Sequence, residues 1–194
     1  MDEHSQEIQE HEESDDLTDI EKKAWRILED SGVKRPPVPV EVVARELGAE
    51  LVFEPFEGGG ISGMLFRDRD NSRNVIGVNS AHPQTRQRFT VAHELGHLLL
   101  GDGRKRTVLD RELRVDFRDQ VSSTASSAEE IKANSFAAAL LMPRTWVEEE
   151  FWRLAESGPD RRGDELVLEL AIKFKVSPQA MDIRLANLGL RSLP

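Results

Sequence analysis

The sequence has no cysteine and no tyrosine. Without cysteine there are no disulfides, no thiolate metal sites and no cysteine nucleophile, so any bound metal must be held by histidine and carboxylate. No apolar run approaches the roughly 20 residues needed to span a bilayer. The N-terminus, MDEHSQEIQEHEESDD, is acidic where a secretory leader would be basic and then apolar, which predicts a cytoplasmic protein. Basic excess is missing too. Of the formal charge of −10, −8 belongs to residues 1–16, which hold no Lys or Arg, so the body of the chain is near neutral. Neither part has the cationic face that nucleic-acid binding requires, and residues 1–16 read as a disordered acidic tail.

What is present has clear periodicity. Ile20, Ala24, Ile27 and Leu28 mark a helix over 18–31, closed by Gly32. After a proline-rich connector, a short helix carries Val42, Val43 and Leu47. Strands are expected at 50–55, 61–67 and 74–79, joined as hairpins through Gly58-Gly59-Gly60 and through the polar run 68–73. Residues 84–100 form a largely buried helix, with Gly101 as its stop. The stretch 102–127 reads as irregular, with a short strand around Leu113, Val115 and Phe117, and helices follow at 128–141, 143–156, 165–174 and 178–187. Strands grouped early and helices grouped late give an α+β fold.

The chemistry concentrates in His93-Glu94-Leu95-Gly96-His97. On a helix, residues four apart share a face, so His93 and His97 can hold one zinc ion. Glu94 falls beside that metal, placed to take a proton from a zinc-bound water. Gly96 weakens the helix by about 1 kcal/mol relative to alanine, and a small residue there lets another segment approach closely. A catalytic zinc needs a third protein ligand. Glu130 is the favoured candidate, with Asn134 one turn on to orient a ligand, and Glu129 is its rival. Glu130 could instead close a capping box with Ser127, although Ser126 and Glu129 share that spacing. With tyrosine absent, His82 is a candidate oxyanion donor; Arg86 and Arg88 read as surface charges.

The segments RQRFTVAHELGHLLLGD at 86–102 and EEIKANSFAAALLMP at 129–143 resemble the ImmA/IrrE family of metallo-endopeptidases, and LAIKFKVSPQAMDIRLANLGL at 170–190 is similar to that family's ending. The resemblance implies a zincin-like α+β domain, with a small three-stranded or larger mixed sheet packed on the HExxH helix and a helical C-terminal part. It implies one Zn2+ per chain on His93, His97 and Glu130, with Glu94 as general base, although a His/His/Glu set also accepts manganese or cobalt. The implied substrate is a helix-turn-helix repressor of the XRE type, cleaved to relieve repression of stress or mobile-element genes. The expected organisation is a tail at 1–16, a metallopeptidase domain at 17–160 and a helical hairpin at 161–194 packed on it.

Two other readings compete. Residues 165–187 have the pattern of a DNA-binding helix-turn-helix, but its second helix would present Gln179, Asp182, Arg184 and Asn187, a nearly neutral set poorly suited to phosphate. Alternatively, the chain retains zinc and acts without turnover, as an anti-repressor or antitoxin-like partner-binding module. The peptidase and partner-binding readings call for neither a membrane nor direct contact with nucleic acid.

Overall fold

The computed structural model describes residues 19–56, 60–67, 73–101, 107–110, 125–156 and 163–191. The acidic tail and the strand expected around 113–117 lie outside them. In chain order the elements are α1 (19–30), α2 (Val40–Glu46), β1 (Ala49–Glu54), β2 (Gly63–Arg67), β3 (Asn74–Asn79), α3 (Gln84–Leu100), β4 (Thr107–Asp110), α4 (Ala125–Leu141), α5 (Arg144–Glu156), α6 (Asp164–Phe174) and α7 (Pro178–Asn187). This is the α+β arrangement the sequence predicts, with a mixed sheet against the long apolar helix. Among the described residues no helix is long and apolar enough to cross a membrane.

The sheet order is β1-β3-β2-β4. β2 and β3 form the expected hairpin, pairing Gly63 with Val78 and Arg67 with Asn74. β1 does not hairpin onto β2; it pairs parallel with β3, from Ala49–Asn74 to Glu54–Asn79. The most buried of these three strands, β3, thereby takes a central place and encloses Ile76 and Val78. The β1–β2 connection must cross the end of β3, and Asn79 fastens it there. Its side-chain amide donates to Ile61 O (2.9 Å), its side-chain oxygen accepts from Phe56 N (3.3 Å), and its backbone N–H donates to Ser62 O (2.9 Å). A second correction concerns the stretch read as irregular: it contains β4, which pairs antiparallel with β2 and forms one edge of the sheet.

One hydrophobic cluster draws residues from α1 through α7. Trp25 of α1 meets Trp146 of α5 edge to face, with ring centroids 5.8 Å apart. Two buried arginines tie distant segments together. Arg88 donates to Val38 O (2.8 Å) and Lys175 O (3.2 Å) and pairs with Glu41 at 3.6 Å. It is therefore a buried tie and not the surface charge expected; Arg86 likewise is partly buried, donating to Ser62 Oγ at 2.7 Å. Arg184 of α7 is buried as well, donating to Met142 O (3.0 Å) and to Glu21 (2.6 Å). A DNA-reading helix would have to present that residue to solvent.

Candidate metal centre

The site is built on α3, whose residues Arg88–His97 are all buried. On one side lies β2; on the other, α4. A Cβ placed on Gly96 would lie 2.9 Å from Ala133 Cα and 3.0 Å from Ala133 O. Glycine there lets the α4 backbone come into contact with α3, the close approach expected from the motif. Glu130 and Asn134 are three residues before and one after Ala133, and so arrive at the histidines together.

His93 Nε2 and His97 Nε2 are 3.0 Å apart, and their rings meet edge to face with centroids 4.6 Å apart. Glu130 lies across from both, its two oxygens each 3.2 Å from one of those nitrogens. Asn134 Oδ1 lies 3.0 Å from His93 Nδ1. An amide oxygen only accepts, so Nδ1 carries the proton and Nε2 turns its lone pair towards His97 and Glu130. Lone pairs of two imidazoles and a carboxylate thus converge on one small space. That donor set suits a metal ion, and the three residues form a group whose ligand atoms all lie within 4.8 Å of one another. Burial pushes the Glu130 carboxyl up, but its contacts with the His93 and His97 imidazoles outweigh this and hold it at about 2. The carboxylate is therefore ionised and ready to bind a cation.

Glu94, on the same helix, is fully buried. Glu129 is not part of the converging group. The capping-box reading of Glu130 fails on the backbone, because α4 begins at Ala125 and Ser126 and Ser127 already lie within its first turn. His82 sits in the turn before α3, whose rise sets Gln84 about 13 Å along the axis from His93. Its imidazole is pushed down by burial and then by the charge of Arg86. Gly101 does end α3, but in an extended conformation (φ −70°) and not the left-handed one. There Arg67 donates to His97 O at 2.5 Å.

Sequence reasoning missed Gly63. A Cβ on it would overlap Thr90 Cγ2 and lie 2.9 Å from Glu94 Oε1, so the β2 backbone passes directly against the Glu94 side chain. The available signal was a glycine within a strand, which often marks a close approach.

The chain is similar to known proteins. The radiation response metalloprotease IrrE of Deinococcus radiodurans is 36% identical over 109 residues, covering 56% of this chain and 29% of that protein. The protein of the same name from Deinococcus deserti is 39% identical over 90 residues, 46% of this chain and 30% of that one. The match thus spans under a third of either relative's length. A Mycobacterium tuberculosis transcriptional regulator has a similar fold, with a TM-score of 0.58 and 19% identity, over 87% of this chain and 46% of that one. The family model of the IrrE N-terminal-like domain, Peptidase_M78, matches residues 44–186, a span that takes in the sheet, both helices of the metal centre and the C-terminal hairpin, and the chain belongs to that family.

Proposed function

We propose that this chain is a zinc-dependent endopeptidase acting on a protein substrate. The observation that carries the reading is the convergence of His93, His97 and Glu130, with the buried carboxylate of Glu94 next in sequence to the first histidine. When bound, zinc supplies Lewis acidity and lowers the pKa of its water towards about 7. Glu94 would accept the proton of an attacking water beside the bound ion and would hand it to the leaving amine of the peptide. Asn134 holds His93 in the tautomer whose Nε2 lone pair can ligate, and Glu130 completes the three protein ligands.

An extended substrate segment is accommodated at a sheet edge. Of the two edges among the described strands, β4 lies next to β2, which carries Gly63 against Glu94, whereas β1 lies two strands from β2. The substrate class is a helix-turn-helix repressor of the XRE type, a reading that rests on the family resemblance. The burial of Arg184 favours this assignment over DNA binding by the chain itself.

Metal content tests the centre. The parent and Glu129→Ala should each hold about one zinc per chain, and Glu130→Ala should lose it. Glu94→Gln should keep the metal and lose 100-fold or more in peptide hydrolysis. Negligible metal in the parent after zinc is supplied would sink the proposal. Full zinc occupancy with stable co-purification of an uncut repressor would instead favour the anti-repressor reading.

A further inference from the structure

β2 runs along α3 and is pinned to it at both ends. At one end Arg86 holds Ser62, and at the other Arg67 holds His97 O. Between them Gly63 lies against Thr90 and Glu94, which are one turn apart on α3. The φ of Gly63 is not positive, so its backbone does not call for glycine. Space does: a Cβ would overlap Thr90 Cγ2, approach Glu94 Oε1 to 2.9 Å and reach Gly77 O of β3 at 3.3 Å. Thr90 is fully buried and β-branched, which restricts its χ1 on a helix. β2 cannot easily retreat, being held by its two arginine ties and by its pairing with β3.

We infer that Gly63 and Thr90 form a steric seat that fixes the Glu94 carboxylate, which makes Gly63 a positioning residue for the general base. The inference rests on the peptidase reading for its consequence in turnover, but the seat itself is a property of the chain. A glutamate side chain has three rotatable bonds, and displacing its carboxylate by about 1 Å is enough to cost about 100-fold in rate. Because Gly63 faces Glu94 and Thr90, its replacement should disturb the base and leave the ligands in place.

The test uses the full chain, loaded with zinc or cobalt, as the parent, Gly63→Ala, Gly63→Ala with Thr90→Ala, and Glu94→Gln. Three quantities are read: zinc affinity by competition with a chromophoric chelator; kcat and KM on a quenched-fluorescent peptide mixture; and acetohydroxamate affinity from the visible bands of the cobalt protein. Gly63→Ala should keep zinc affinity and KM within about threefold while kcat falls about 10- to 100-fold. Acetohydroxamate, whose bound form contacts the general base, should bind about tenfold more weakly, in the same direction as with Glu94→Gln. Removing the overlapping methyl with Thr90→Ala should recover part of both losses, since the new Cβ still lies 2.9 Å from Glu94 Oε1. Unchanged kcat and acetohydroxamate affinity in Gly63→Ala would overturn the seat, as would a parallel loss of zinc or no recovery at all in the double variant. If the parent binds zinc but cuts no peptide, the peptidase reading fails, and the acetohydroxamate comparison still decides for or against the seat.

Discussion

Replacing Gly96 with alanine pits a local gain against a long-range loss. Alanine in a helix interior is favoured over glycine by about 1 kcal/mol. The new methyl would meet Ala133 Cα at 2.9 Å, Ala133 O at 3.0 Å and Ala133 Cβ at 3.3 Å, where carbon atoms prefer about 3.5–4.0 Å. Two of those neighbours are backbone atoms, so no side chain can swing aside and α4 must withdraw by about 0.5–1 Å. Overpacking of this kind costs about 1–3 kcal/mol, enough to cancel the propensity gain. The larger effect falls on the metal. Zinc–ligand distances tolerate errors of only about 0.2 Å, and a retreating α4 carries Glu130 and Asn134 away from the histidines together. Zinc affinity should fall by about 10- to 100-fold, or about 1.4–2.8 kcal/mol. Competition with a chromophoric chelator reads this directly, and thermal unfolding with and without zinc separates it from global stability. A Gly96→Ala protein that binds zinc like the parent and melts higher would refute the reasoning, since propensity alone would then govern the site.

Asn134→Ala should weaken zinc binding about 10- to 100-fold without unfolding the apo protein, because it removes only the partner that fixes the His93 tautomer. Arg88→Met should lower stability in urea by about 2–4 kcal/mol, because Val38 O and Lys175 O lose their donor inside the protein. Chelating the metal should lower the melting temperature, and zinc in 100-fold excess over its Kd should restore about 2.7 kcal/mol; an identical melt with and without zinc would deny any coupling between centre and fold.

The helices were legible in the sequence because their apolar residues recur at helical spacing and glycine or proline punctuates their ends. The grouping of the candidate metal centre was legible for a related reason. His93 and His97 are near in sequence, and Glu130 and Asn134 share the face of a second helix. The β2–β3 hairpin was legible from its polar connection, but the pairing of β1 was not, because its parallel match with β3 joins Ala49 to Asn74 across an intervening strand. The triple glycine advertised a turn, but the local signal could not say which strand would lie next to β1. β4 was missed because it is four residues long and follows the basic run Arg104-Lys105-Arg106. Arg88 read as a surface charge, and Arg184 as exposed on the helix-turn-helix reading, because each is tied to carbonyl oxygens, which every residue carries and no sequence pattern reveals.

Two glycines on opposite sides of the centre explain how a helix this buried can carry chemistry. Gly96 belongs to α3 and admits α4, so the Glu130 carboxylate and the Asn134 amide arrive together at the histidines. Gly63 belongs to β2 and admits Glu94, so the side chain beside the ligands rests on a strand instead of hanging in a cavity. Each contact joins the backbone of one element to side chains or backbone of another, and each would be lost on adding a single methyl group. Rigid backbone approach defines position more tightly than contacts between long side chains, which carry their own rotamer freedom. The arrangement predicts unequal tolerance at the two positions: Gly96 substitutions should register first in metal affinity, and Gly63 substitutions first in turnover. A pair of variants that failed in the same quantity would mean that the two sides of α3 move as one body and that the centre is set by the core as a whole.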